Sequence, residues 1–108
     1  MTSELDAIFE AFSSPKRRGM IGTLAYRPET VSQLAEEQKL SLPAIHKHIR
    51  ILEKSKLIQR KKVGRTNFVA FNPRTMKKAQ DWIMQYNTAW GSNQETLENY
   101  IASLERRT

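Results

Sequence analysis

Three helix-start signals stand close together in this chain, and they leave little choice of architecture. Ser14-Pro15 places a good N-cap before a proline suited to the first helical position. Thr30, followed three residues later by Gln33, forms a capping box. Ser41, with Pro43 just inside, opens a further helix. Between the last two helices only Lys39-Leu40 remains for a tight turn. Two short helices joined in this way form a helix-turn-helix. The first runs from Val31 to about Gln38, with Val31, Leu34 and Ala35 facing inward. The second runs to about Ser55, with Ile45, Ile49 and Leu52 as its apolar stripe. At 1.5 Å per residue it is about 20 Å long, a size that fits the DNA major groove.

The flanks extend this plan. Over residues 4–13, Leu5, Ile8, Phe9 and Phe12 form a helical stripe that Ser3 can cap, with Asp6 in the first turn. The helix that Ser14 opens reaches about Tyr26, with Met20, Ile21 and Leu24 inward and Gly19 and Gly22 weakening it. Arg27-Pro28-Glu29 is expected as a connector. From Leu57 the pattern changes to two short strand-like runs, Leu57 to Val63 and Arg65 to Phe71. Gly64 between them supplies a hairpin turn. Asn72-Pro73 ends the second run, and residues 74–106 return to helical periodicity. Met76, Ala79, Ile83, Tyr86, Trp90, Asn93, Leu97, Tyr100 and Leu104 recur at alternating steps of three and four, with Gly91-Ser92 as a candidate break. The two ends of the chain are therefore expected to build a dimer interface from Leu5, Phe9, Ile83, Tyr86, Trp90, Leu97, Tyr100 and Leu104. In the monomeric alternative the terminal segment folds back over the core. The expected fold is mainly α with a small β-hairpin, in one domain spanning residues 1–108. Its helix-turn-helix covers about 31–55, its wing about 57–72 and its C-terminal helix about 74–106.

The charge distribution indicates a partner. The chain has 108 residues and a net charge of +7. Residues 41–65 hold eight basic residues, Lys47, Arg50, Lys54, Lys56, Arg60, Lys61, Lys62 and Arg65, against the single acid Glu53. That segment carries the whole net charge, because the remaining ten basic and ten acidic residues cancel. So concentrated a patch suits a polyanion. With no cysteine, the chain has no disulfide framework, no thiolate nucleophile and no Cys-ligated metal. No run of about 20 apolar residues is present, and the acidic start Met-Thr-Ser-Glu-Leu-Asp lacks a signal peptide's basic head. A soluble cytoplasmic protein without a cofactor is expected.

Candidate contacts follow from position. Ser41, Pro43 and Ala44 sit at the N-terminus of the second helix of the motif, where recognition helices touch bases. His46, Lys47 and Arg50 share its polar face with Pro43 and Lys54, and arginine is the commonest reader of guanine. Lys61, Lys62 and Arg65 cluster at the hairpin tip, within reach of DNA backbone or minor groove. Arg17 and Arg18 begin a helix, where a cation opposes the dipole. A bound phosphate would explain them; an acidic side chain is the alternative. His46 and His48, two residues apart, point to different faces and do not form a shared metal site, and His48 is expected to pack or to make a structural hydrogen bond. Trp82, Tyr86 and Trp90, at helical spacing, are read as core or seam rather than as a ligand pocket. The absence of paired carboxylates, a phosphate-cradling glycine loop or a nucleophile–base set argues against an enzyme. Phe68 and Phe71 alone make a poor RNA-stacking platform. A helix-only partner module leaves the basic segment unexplained.

The residues also carry a family resemblance. Ile8-Phe9-Glu10-Ala11-Phe12-Ser13-Ser14-Pro15-Lys16-Arg17-Arg18 resembles the opening of ArsR-family regulators. Ser41-Leu42-Pro43-Ala44-Ile45-His46-Lys47-His48-Ile49-Arg50-Ile51-Leu52 is similar to that family's recognition helix. Gly64-Arg65 matches its wing tip, and Phe71-Asn72-Pro73 its Leu-Asn-Pro. The resemblance spans residues 5–104. It implies a homodimeric winged helix that represses from an inverted-repeat operator in double-stranded DNA, commonly released by an effector. The family's metal sites are not matched: recognition-helix cysteines are absent, and no histidine follows Asn72. With Asp81-Trp82-Ile83 and Trp90, the chain looks like the subgroup without metal ligands, and its effector stays open. A charge-driven architectural nucleic-acid-binding protein is the alternative.

Overall fold

Each of the predicted start signals is seated as a helix cap. Ser3 and Asp6 form a reciprocal capping box at the head of α1 (Glu4–Phe12). The Ser14 hydroxyl accepts from the Arg17 amide to open α2 (Pro15–Leu24). Thr30 and Gln33 form the second capping box, opening α3 (Val31–Gln38). Ser41 accepts from the Ala44 amide at the start of α4 (Leu42–Ser55). These bonds satisfy backbone donors that a helix start leaves without partners. Lys39 closes α3 in the left-handed region, at φ 56°, and so turns the chain toward α4. The computed structural model describes residues 3–86 and 96–107.

The hairpin consists of β2 (Ile58–Val63) and β3 (Thr66–Phe71), paired antiparallel from Ile58↔Phe71 to Val63↔Thr66. Gly64, at φ 62°, begins the two-residue loop. The expected connector at residues 27–29 differs from the structure. Glu29–Thr30 forms a short strand, β1, which pairs with Val69 and Phe68 and makes the sheet three-stranded in the order β1-β3-β2. Two residues are too few to show alternation in a sequence, and this strand exists only through its pairing with β3. α2 also ends at Leu24, two residues before the expected Tyr26.

The core gathers one stripe from each of the first four helices. Ile8 of α1, Met20 of α2, Leu34 of α3, and Ile45, Ile49 and Leu52 of α4 are fully buried with Leu57 and Val69. α5 (Pro73–Met84) packs on α1 through buried Ala79 and half-buried Met76, and Lys78 pairs with Glu4 across the same junction. Thr75 and the Asn72 amide tie the start of α5 to the Lys56 and Leu57 carbonyls. The helical segment expected over about 74–106, with Gly91-Ser92 as its candidate break, is described in two parts. α5 stops at Met84, because the amides of Gln85 and Tyr86 turn to the Trp82 and Ile83 carbonyls three residues back. A separate helix, α6 (Thr96–Glu105), follows. Trp90, Asn93 and the candidate break at Gly91-Ser92 lie outside the described residues. Among the described residues, no helix is long and apolar enough to cross a membrane.

Arg17 requires a further correction. A bound phosphate and an acidic side chain are the expected alternatives there; instead the residue is 8% exposed and its guanidinium is occupied by backbone carbonyls, Ser13 and His48. Nε donates to the Ala11 carbonyl at 3.0 Å, Nη2 to the Glu10 carbonyl at 3.0 Å and to Ser13 Oγ at 3.3 Å, and Nη1 meets His48 Nδ1 at 3.0 Å. The cation that opposes the dipole of α2 therefore complements the carbonyl end of α1. Its neighbours act alike: Arg18 donates to the Phe12 carbonyl and Lys16 to the Gln38 carbonyl. A guanidinium only donates, so His48 Nδ1 must present a lone pair, and the ring is neutral with its proton on Nε2. Burial first, and then the Arg17 charge, lower the pKa of His48.

Two outcomes are expected. Arg17→Met should destabilise the protein by about 2–4 kcal/mol, since carbonyls at the end of α1 lose their donors inside the fold; urea unfolding at fixed protein concentration measures it. In the second, the unfolded chain takes up the His48 proton at a higher pH than the folded protein does. The stability tied to His48 is therefore present above about pH 6.5 and falls as pH drops through that value toward the lower folded pKa. Thermal unfolding across about pH 5–8 should show this slope, and His48→Gln, which keeps an acceptor for Arg17, should flatten it.

Candidate nucleic-acid interface

α4 divides its residues between two surfaces. Ile45, Ile49 and Leu52 hold one side in the core, and Arg17 holds His48. Pro43, Lys47, Arg50 and Lys54, at steps of four, three and four, are exposed along one outward face. Ser41 stands exposed at the helix head, where its hydroxyl is the N-cap, and Ala44 and His46 are half-buried. Leu42, at the first helical position, is 52% exposed. Sequence reasoning missed this residue, because an apolar side chain beside a cap reads as core.

The wing offers a second basic group. β1 braces β3 only at Val69 and Phe68, whose β2 partners are Arg60 and Lys61. From Lys62 to Asn67 the hairpin continues as two strands alone. Lys61, Lys62 and Arg65 are all exposed. Arg60 at the base is held by Glu53 of α4 at 2.8 Å, so the segment's one acid neutralises the base of the wing rather than its tip. Among the described residues, none forms an ion pair with Lys47, Arg50, Lys61, Lys62 or Arg65.

Helix and wing meet at a groove of about 220 Å³ lined by Thr30, Ser32, Leu42, His46, Arg65 and Asn67, among others. It brings the sequence-predicted His46 and Arg65 together with the N-terminus of α3, where backbone amides and the helix dipole favour an anion. Thr30, Ser32 and Asn67 were not foreseen as site residues; the capping box at Thr30 marked the helix start that puts them there. Arg18 is exposed on α2 with one nitrogen on the Phe12 carbonyl, and Arg17 is withdrawn into the fold. Among the described residues, no group of three or more His, Cys, Asp or Glu could hold a metal ion.

The residues assigned to the seam are apolar side chains that the chain leaves largely uncovered. Leu5 is half-buried against the core. Phe9, 37% exposed, meets Trp82 edge-on at 5.4 Å, and Trp82 in turn lies 4.9 Å from Tyr86. Ile83 and Tyr86 are exposed on α5 and just beyond it. On α6, Leu97, Tyr100, Ile101 and Leu104 form an exposed helical stripe, and none of the helix's residues is buried.

Comparison with known proteins agrees with this geometry. A helix-turn-helix domain family matches residues 12–60. The transcriptional repressor SdpR of Bacillus subtilis is 24% identical over 82 residues, covering 76% of this chain and 91% of SdpR. The crystal structure of an ArsR family transcriptional regulator superposes with a TM-score of 0.72 and 34% identity, over 79% of this chain and 91% of that one. The homodimeric winged helix-turn-helix DNA-binding domain of a Mycobacterium bovis protein superposes with a TM-score of 0.64 at 12% identity, over 78% and 84% of the two chains, a likeness of fold.

Proposed function

This chain belongs to the ArsR family of transcriptional regulators, and from that premise we propose that it is a homodimeric repressor reading an inverted repeat in double-stranded DNA. The observation that carries the reading is the exposed face of α4, where Pro43, Lys47, Arg50 and Lys54 line up opposite a buried stripe. On this reading α4 enters the major groove. Ser41, Pro43 and Ala44 approach base edges, with Leu42 available for a thymine methyl. Arg50 and Lys47 reach guanine or phosphate, and His46 lies beside them. Lys61, Lys62 and Arg65 follow the backbone or minor groove. Arg18 is left with phosphate contact at most, and Arg17 serves the fold.

A repressor role is supported by the likeness to SdpR. A dimer is supported by the homodimeric Mycobacterium bovis domain and by the uncovered apolar side chains of α1, α5 and α6. Phe9, Trp82, Ile83 and Tyr86 on one surface, and Leu97, Tyr100 and Leu104 on another, are what a second copy would cover. Leu5 contributes from the edge of the core. Trp90 belongs to this proposal by its heptad position alone. The wing's charge also suits an architectural protein that ignores sequence, and the first experiment separates the two.

Selection from a random duplex pool, with the mass of the free protein measured alongside, should enrich an inverted repeat with half-sites about 34 Å apart and give a dimer mass. Binding without enrichment, lost steeply with salt, would favour the architectural role. On the enriched site, Arg50→Ala should weaken binding by about 1–3 kcal/mol and relax one position. Lys61→Ala should weaken all sequences alike and lower the salt slope by about one. Fluorescence anisotropy over a salt series measures both, and unchanged affinities would remove these two residues from the interface.

A further inference from the structure

A second groove, of about 560 Å³, lies between α2, β1 and α3, with Gly22, Thr23, Tyr26, Arg27, Glu29 and Glu37 in its walls. Its size falls in the usual range for small-molecule sites, about 300–1,000 Å³. The Glu29 side chain is 1% exposed. A buried carboxylate is costly unless its oxygens are paired. The Arg27 Nε lies 3.5 Å from Glu29 Oε1, a long contact from a side chain that is 75% exposed. Glu29 Oε2 is buried and has no hydrogen-bond partner. Glu37 of α3 brings a second carboxyl to the same groove, and its pKa is raised by desolvation first and then by the neighbouring Glu29 carboxyl. On the α2 wall, a Cβ built on Gly22 meets nothing within 4 Å. Tyr26 is 92% exposed at the rim.

We propose that this groove binds a small organic cation, an amine or guanidinium with a short apolar body, whose charged head sits between the Glu29 and Glu37 carboxylates. Such a head donates to Glu29 Oε2 and relieves the repulsion between the two acids. Its body lies along the open backbone at Gly22, near the Tyr26 ring. A divalent metal fits less well, because hard cations gather six or more oxygens and, among the described residues, the groove wall holds two carboxylates. The site requires nothing of the DNA-binding reading, and its test uses no DNA.

The full chain, ¹⁵N-labelled, is titrated with n-butylammonium and n-butylguanidinium chlorides at constant ionic strength, with magnesium and zinc chlorides as comparison cations. The organic cations should give saturable amide shifts centred on Gly22, Glu29 and Glu37. Glu29→Gln, which removes a buried charge at constant shape, should weaken binding at least about tenfold while thermal unfolding shows the fold retained. Gly22→Leu keeps both carboxylates, fills the open space and should abolish the response. The proposal is overturned if no shift saturates, if Glu29→Gln responds like the parent, or if only the metals bind. It is also overturned if the shifts follow pH alone, which would leave the two acids sharing a proton.

Discussion

Arg17 is a cation set where the end of α1, the start of α2 and the middle of α4 converge. Burying a charge is costly, and the cost is tolerable here because the acceptors are helix-terminal carbonyls that carry partial negative charge. The planar fork matters, since one guanidinium reaches Glu10, Ala11, Ser13 and His48 at once. The bond to His48 adds a polar anchor to α4 beside its buried stripe of Ile45, Ile49 and Leu52. At about 100° per residue, His48 and Arg50 point to nearly opposite sides of that helix. The histidine's bond and the buried stripe of Ile45, Ile49 and Leu52 together leave Pro43, Lys47, Arg50 and Lys54 facing outward.

Much of this was legible before any coordinates. The caps at Ser14, Thr30 and Ser41 and the stripes of α2, α3 and α4 are local signals, set by side chains within a turn of one another. The segregation of charge between residues 41 and 65 likewise needs no tertiary knowledge. What escaped depends on distant partners. β1 is created by β3, some forty positions later in the chain. The role of Arg17 comes from carbonyls of the preceding helix and a histidine 31 residues away. The heptad count ran through Met84 because apolar spacing continues there, while the backbone turns at Gln85 by changing its hydrogen-bond partners. Among the candidate contacts, Ser41, Pro43, Lys47 and Arg50 on α4 and Lys61, Lys62 and Arg65 on the wing are exposed, Ala44 and His46 are half-buried, and Arg17 is the one the fold withdraws.

Glu53 and Glu29 show two ways of handling an acid in this basic chain. Glu53 pairs with Arg60 where α4 meets the wing, and so lowers charge at a joint rather than at a contact surface. Glu29 sits under α2 and α3 with one oxygen unmet. The first arrangement closes locally, while the second leaves a demand that the protein's own described side chains do not fill.

Thr30 holds two posts at once. It is the last residue of β1, paired with Phe68, and it is also the N-cap of α3. The wing and the helix-turn-helix are therefore bolted together through one residue's backbone and hydroxyl. A displacement of the wing's root reaches the first helix directly, with no slack segment between them. The helix head and the basic tip are thus held at a set spacing, so that little ordering would remain for any contact they make together.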